Sequence, residues 1–543
     1  MKNGYLILFI LSCFFCSCKS EQKPPVKKTP NIVLIVADDL GYTDIGCFGS
    51  EIATPHIDAL ASQGQLFTQF YTASTCSPTR AMLLSGTDNH IAGLGDMAER
   101  SVSIDQERGQ PGYEGYLNNK VVSVAQLLKD AGYHTYMSGK WHLGLTADQS
   151  PEAKGFERSF ALMDAYMNHY YPDPRNSFWE DDHYGNYPEG QYSTDLYTDK
   201  LIDFVRNDHN DNKPFFLYAA YTAPHWPLQA PQEYVEKYHG VYDIGYDSLR
   251  RLRFEGLKKK GIVDAHVPLP KLPTLKGNLY DISNEPLRLW NTLPKNEQRI
   301  EARKMEIYAG MVDNLDHNIG RLIQYLKDIG EFDNTLIIFL SDNGASSIDA
   351  NATPNDTDPY PYMGTANSFV AYGQSWAHAS SAVNNLYKGY SSEGGIHTPM
   401  IIKMPNQKKG NGLITAFTTV MDMAPTFLEL AGVAYPSTYQ ERALAPHQGA
   451  SLLPLLNKKQ DFVHDENYVM GWELFGRCAI RKGKWKISKM EAPFGKGAFE
   501  LFNIEEDPAE SRDVSKEFPQ KYQEMLVHWN AYVKENGVIL LDR

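Results

Sequence analysis

Apolar runs that stop abruptly on polar residues recur along this chain. "NIVLIVADDLGYTD" begins at Asn31 and is apolar, mostly β-branched, through Ala37. Such a run predicts a strand buried on both faces, hence a parallel sheet covered by helices. It stops on Asp38 and Asp39. "NTLIIFLSDNG" from Asn334 repeats the pattern and stops on Asp342 and Asn343. "KPFFLYAAYTAPHWP" from Lys213 ends near His225. "GYHTYMSGKWHLG" from Gly132 reads as a weaker strand followed by Lys140 and His142. Helical periods lie between the runs: "VVSVAQLLKDAGY" from Val121, residues 296–327, and "VMDMAPTFLELAGV" from Val420. The alternation predicts a doubly wound α/β fold. Ligands bind outside the carboxyl ends of such strands, so four strands deliver these acidic, amide, lysine and histidine side chains to one rim.

The pattern changes after about Pro436. "CAIRKGKWKISKM" and "AFELFNIEEDPAESRDV" read as strands of an antiparallel sheet, and "PQKYQEMLVHWNAYVKEN" from Pro519 as a closing helix. The predicted division is an α/β domain over 31–435 and a smaller α+β subdomain over 436–543. Residues 165–192 and 345–389 resist regular structure. Loops this long in a compact domain are functional or disordered. The second carries Tyr360, Tyr362, Phe369, Tyr372 and Trp376, so order is expected, and both are candidate walls of a substrate pocket.

Composition narrows the class. The 543 residues exceed one small core. A net charge of −14 argues against nucleic acid as the main partner. An apolar run from Tyr5 to Phe15 follows one lysine and precedes "CSCKSE". Residues 1–18 therefore read as an export signal, too short for a comfortable membrane span. The ending resembles a bacterial lipoprotein signal, with lipidation at Cys18; Cys13 and an ordinary secretory signal are the alternatives. Residues 19–30 read as a flexible tether. The expected location is the periplasm or cell surface, on a lipid anchor. Only Cys47, Cys76 and Cys478 remain in the folded part, which is not a disulfide scaffold, although two of them have the option of pairing.

Adjacent carboxylates at the end of a buried strand repel unless a cation holds them. Asp38, Asp39, Asp342 and Asn343 are oxygen donors, so a hard divalent ion is implied, calcium or magnesium. One such pair alone is explained by helix capping; two in one sheet weaken that explanation.

Cys76 opens "CSPTRAMLLSG". Ser77 can cap a helix and Pro78 fits its first turn. The helix start and Arg80 favour an anion and predict a lowered thiol pKa. A small buried residue is the plain alternative for a lone cysteine.

The wider set of motifs resembles the type I, formylglycine-dependent sulfatases. Their signature is C-x-P-x-R followed by Thr-Gly, with Ser85 here in place of the threonine. "ADDLGYTD", "GKWHLG", "APHWP", "SDNG" and "KGYSSEGG" extend the likeness over nearly the whole mature chain, and "GTDNHIAGLGDMAE", "GYEGYLN" and "GWELFG" resemble bacterial arylsulfatases. The resemblance implies an alkaline-phosphatase-like fold: a mixed, mostly parallel sheet flanked by helices, with a smaller C-terminal antiparallel sheet. It implies that a maturase oxidises Cys76 to formylglycine, whose hydrate supplies one hydroxyl to attack sulfur and a second to release sulfate. It also implies a metal shell of Asp38, Asp39, Asp342, Asn343 and residue 76, generally with calcium. Arg80 matches the arginine that holds the gem-diol, Lys140 a lysine near sulfate, and His142 a histidine that helps expel sulfate. His225 and Lys388 match groups that bind sulfate and assist the leaving oxygen. His397 stands where many relatives have arginine, and no role is assigned to it.

Two rivals are kept. A phosphatase or phosphodiesterase of the same fold needs Ser or Thr as nucleophile and usually two metals with several His ligands. A non-catalytic lipoprotein binding sulfated glycans has no need of a leaving-group acid. The expected substrate is a sulfate monoester, with a terminal sulfated galactose or N-acetylhexosamine as the natural candidate.

Overall fold

The structure, a computed structural model, describes residue 1 and residues 29–101, 103–171, 178–208, 211–277, 282–352 and 359–541. The expected signal, Cys18 and most of the tether lie outside the described residues. Among the described residues, no helix is long and apolar enough to cross a membrane.

Four predicted strands form the centre of an 11-stranded sheet, in the order Thr335–Ser341, Asn31–Ala37, Phe215–Ala220, His134–Lys140. All three contacts between them are parallel. Alternation along Asn31–Ala37 explains why both faces must be apolar. Val33 and Ile35 join one core cluster, with Met311, Leu315 and Ile319 of the long helix Lys295–Asp328. Ile32, Leu34 and Val36 join the other, with Ala81 and Leu84 of Cys76–Ser85, Leu128 of Val124–Asp130 and Phe427 of Met423–Ala431. Helices therefore cover both faces, as the period-two burial demands. The sheet is mixed: His397–Lys403 pairs antiparallel to both Thr335–Ser341 and Gln65–Tyr71.

Register aligns the carboxyl ends. Ala37 pairs with Ser341, Val36 with Ala220, and Gly139 with Ala220. The next residues along each strand are thus forced to one rim. Gly139 is required there: its φ is +113°, and a Cβ would sit 1.8 Å from the Ala220 carbonyl oxygen.

A second sheet is antiparallel, built from Val469–Leu474, Arg477–Lys482, Trp485–Lys489 and Glu500–Asn503. The helix Pro519–Asn536 closes it, with Met525 and Trp529 packed with Ile480, Ile487 and Leu501. Cys47, Cys76 and Cys478 are all free thiols.

The stretch 345–389 is more regular than expected. It contains the hairpin Asp349–Ala352 with Phe369–Tyr372 and the helix Gly373–Ser381. Tyr372 and Trp376 are buried in the core, and Tyr372 also lines a cavity together with Asp349, Asn351 and Gln374 of the same stretch. Composition marked them as aromatic but did not say which way they face.

The second sheet is tied to the first through buried charge. Lys486 lies 2.8 Å from Glu393 and 2.9 Å from Glu510. Burial lifts Glu510 to about 7, with Lys486 pulling it down and Glu393 pushing it up. The folded state therefore holds this proton more tightly than the unfolded chain. The associated stability is full below about pH 4 and is lost as pH rises through 7. Glu510→Gln removes the titration. Relative to the variant, the wild type is expected to lose about 1–3 kcal/mol between pH 5 and pH 8. Thermal unfolding at both pH values measures this, and equal pH dependence of the two proteins would refute it.

Candidate active site

Asp38 and Asp39 leave the strand Asn31–Ala37 directly, and Asp39 takes a left-handed φ of 64°. A non-glycine residue held there costs on the order of 1 kcal/mol or more and implies that surrounding contacts fix it. Cys76 is the first residue of Cys76–Ser85, and the N-cap is Thr75, not Ser77 as expected. The Ser77 hydroxyl instead accepts from the Ala98 amide at 3.1 Å.

The rim residues converge. Cys76 Sγ lies 3.3 Å from Asp38 Oδ1 and 3.8 Å from Asp39 Oδ1. Lys388 Nζ donates to Asp39 Oδ1 at 2.6 Å and to Cys76 Sγ at 3.1 Å. Lys140 Nζ donates to Asp38 Oδ2 at 2.8 Å. Arg80, fully buried, donates to Asp342 Oδ2 from Nε and Nη2 at 3.1 and 2.8 Å, and to the Lys140 carbonyl at 2.7 Å. Asn343 Nδ2 donates to Asp39 Oδ1 at 2.7 Å. His225 Nε2 is 3.5 Å from Asp39 Oδ2.

Nine of the ten residues singled out for the rim thus form one buried cluster. His142 stands one step outside it. The strand ends at Lys140, and His142 lies beyond it with a φ of 57°. Its Nε2 pairs with Glu99 at 3.1 Å. His397 is structural: buried, it bonds the Thr68 carbonyl at 2.7 Å and stacks on Tyr71 at 4.9 Å.

Burial opposes every charge here, and the pairing decides the outcome. Burial pushes Asp38 up, but Lys140, His225, Arg80 and Lys388 together hold it well below the usual carboxylate range. Burial and the Asp38 charge lift Asp342 to about 6, against Arg80. Lys140 and Lys388 are raised despite burial, because Asp38 and Asp39 face them. Burial pulls His225 down to about 4, against Asp39 and Asp38. The Cys76 thiol is pushed well above its ordinary value by burial, then by Asp342 and Asp38. The expected lowering is corrected: buried carboxylates outweigh the helix start and the two lysines, so the bare thiol is a poor nucleophile.

The cluster contains a group of side chains able to hold a metal ion. Ligand atoms of Asp38, Asp39, Cys76 and His225 lie within 4.8 Å of one another. Asp342 joins them through the Asp39 amide, 3.3 Å from its Oδ1. Asp39 Oδ2 and Asn343 Oδ1 are buried without a hydrogen-bond partner, which is costly for oxygens that only accept. The carboxylate and amide oxygens suit a hard divalent ion, whereas the Cys76 sulfur and the His225 nitrogen, counted as ligands, suit a softer one.

Residues 30–433 match the Sulfatase family model. The chain belongs to the sulfatase family. Residues 386–535 also match the C-terminal model of N-sulphoglucosamine sulphohydrolase. A sulfatase of Schizosaccharomyces pombe is 42% identical over 95% of this chain and 96% of its own length. An arylsulfatase of Klebsiella aerogenes is 35% identical over 78% of this chain and 92% of its own. The crystal structure of Ps i-CgsB with k-i-k-neocarrahexaose superposes with a TM-score of 0.65 at 25% identity, covering 94% of this chain and 93% of that one. This sulfatase is a sulfuric ester hydrolase of mixed α/β fold, and a buried group of potential metal ligands lies at the carboxyl ends of its central strands.

Three contributors were given no role from the sequence. Glu99 holds His142 from 43 residues away. The Tyr218 hydroxyl accepts from Arg80 Nη1 at 3.3 Å. His169, buried, pairs through Nε2 with the His225 carbonyl oxygen at 3.0 Å and through Nδ1 with the Ser193 hydroxyl at 2.8 Å.

Proposed function

We propose that this sulfatase hydrolyses sulfate monoesters through formylglycine formed from Cys76, with a calcium ion held by Asp38, Asp39, Asp342 and Asn343. The observation that carries the reading is the place of Cys76: at a helix start, inside a buried cluster of three carboxylates and three fixed cations. Those charges balance. A divalent ion held by Asp38, Asp39, Asp342 and Asn343 would supply positive charge against sulfate and lower the pKa of the nucleophilic hydroxyl. The hydrate of formylglycine supplies the hydroxyl that attacks sulfur and the second hydroxyl whose deprotonation releases sulfate.

The remaining steps belong to the side chains. Lys388 and Lys140, held protonated by their aspartates, orient the sulfate oxygens. Arg80 fixes the geometry around residue 76 through Asp342. His225 pairs through Nδ1 with the Trp226 carbonyl oxygen, so Nε2 is the atom that handles the proton of the departing oxygen. His142, oriented by Glu99, serves the release of sulfate.

A sugar sulfate is the proposed natural substrate, a terminal galactose or N-acetylhexosamine ester. The neocarrahexaose bound by Ps i-CgsB supports a carbohydrate, as do the aromatic residues near His225. The apolar run from Tyr5 to Phe15 and Cys18 support export to the periplasm or cell surface on a lipid anchor.

Peptide mass spectrometry across residue 76, on protein made with a maturase, tests the reading. An aldehyde or its hydrate is expected. Unmodified cysteine in protein that still turns over sulfate esters would falsify the mechanism.

A further inference from the structure

Three aromatic rings from separate segments meet beside His225. Tyr166 follows the strand Arg158–Leu162, Trp226 follows His225, and Phe369 opens Phe369–Tyr372. Ring centroids lie 4.5 Å apart for Tyr166 and Trp226 and 5.4 Å apart for Trp226 and Phe369. The Tyr166 ring is nearly parallel to the His225 imidazole, at 13° and 6.3 Å. Tyr166 and Phe369 each remain 37% exposed, and Trp226 is half-buried against the core. Grouped rings in water are unfavourable by about 25 cal/mol per Å² of apolar surface, and such patches mark contact sites.

The rings are also held in place. Gln229, fully buried, accepts from the His169 amide at 2.8 Å and donates to the carbonyls of Ala366 and Ser368 at 3.2 and 2.8 Å. The Leu228 amide donates to the Val370 carbonyl at 2.7 Å, and Asn168 donates to that of Ala366 at 2.6 Å. His169 reaches the His225 carbonyl oxygen. The loop of Tyr166, the turn of His225 and Trp226 and the strand of Phe369 therefore form one hydrogen-bonded frame. Rings fixed before binding lose little entropy when a ligand arrives.

The geometry points to a stacking platform, formed by Tyr166, Trp226 and Phe369, for the ring of the alcohol half of the sulfate ester. This rests on the reading that places His225 at the departing oxygen. With sulfur at residue 76 and that oxygen at His225 Nε2, the carbon skeleton continues past the imidazole, where the rings lie. The ligand class is a six-membered ring with an apolar face, either an aryl group or a pyranose. Both offer such a face to an aromatic side chain; a short acyclic alcohol does not.

The test is calorimetric binding to the full-length Cys76→Ala protein, with and without Tyr166→Ala plus Phe369→Ala. The probes are 4-nitrophenyl sulfate, galactose 6-sulfate and inorganic sulfate. Affinity for at least one ring ester is expected to fall about 10-fold, with inorganic sulfate within about twofold; the ester affected identifies the ring. Tyr166→Phe alone should retain affinity. Unchanged affinity for both ring esters, no binding of either to the Cys76→Ala parent, an equal loss for inorganic sulfate, or a loss with Tyr166→Phe would each overturn the platform. None of these outcomes alters the mass at residue 76, and a failure of the formylglycine reading appears in that mass or in the turnover of Cys76→Ala, not in these binding measurements.

Discussion

Cys76→Ala is expected to lower kcat/KM for any sulfate ester by at least about 10³-fold, some 4 kcal/mol of transition-state stabilisation, while the protein stays folded. Alanine has no group that can be matured and no oxygen to attack sulfur. The fold should tolerate the change because the ion pairs around the sulfur do not depend on it. Lys388 keeps Asp39 at 2.6 Å, Lys140 keeps Asp38 at 2.8 Å, and Arg80 keeps Asp342 at 2.8 Å. The cost is one sulfur-sized void, about 1 kcal/mol. Cys76→Ser should be nearly as inactive: a single hydroxyl can attack once but lacks the second hydroxyl that frees the enzyme. Turnover of an aryl sulfate and a thermal melt measure both variants. Activity within about tenfold of wild type for Cys76→Ala would remove residue 76 from the nucleophile role.

The rim was legible because each of its residues ends a run with an unambiguous meaning. A seven-residue apolar stretch closing on Asp38 and Asp39 admits few structures besides a buried parallel strand, and the same holds for Thr335–Ser341. Gln65–Tyr71 and His397–Lys403 were not legible. "QLFTQFY" mixes polar and apolar positions, and "HTPMIIK" opens on two polar residues and carries a proline at its third position. Their antiparallel insertion is decided by partners more than 300 residues away. The Cys76 thiol was misread for a related reason. A helix start is visible in sequence, but burial and the carboxylates of Asp342 and Asp38, which come from distant strand ends, outweigh it. Glu99 and His169 act through partners 43 and 56 residues away, and no local spacing announces them.

Asp342→Ala is expected to abolish turnover and to change stability in a way that depends on calcium. Two opposing effects set the metal-free value. Asp342 is the bidentate partner of Arg80, and both side chains are fully buried. Removing it leaves the guanidinium with the Lys140 carbonyl, the Tyr218 hydroxyl and Asp38 at 4.0 Å. Breaking a buried pair costs about 3–5 kcal/mol. Against this, burial and Asp38 already lift Asp342 to about 6, so its charge is unfavourable by about 3 kcal/mol, which alanine relieves. The two effects then leave the variant less stable by about 0–2 kcal/mol when calcium is chelated. Adding calcium to 100 times its dissociation constant should stabilise the wild type by about 2.7 kcal/mol and leave the variant unmoved. The gap then widens to roughly 4 kcal/mol. Asp342→Asn separates the two effects. It keeps an oxygen for Arg80 and removes the repulsion, so its chelated stability should approach wild type while turnover and most of the calcium response are lost. Melts with chelator and with calcium decide the matter. An Asp342→Ala protein that gains as much from calcium as the wild type would place the ion elsewhere and leave Asp342 as the partner of Arg80 alone.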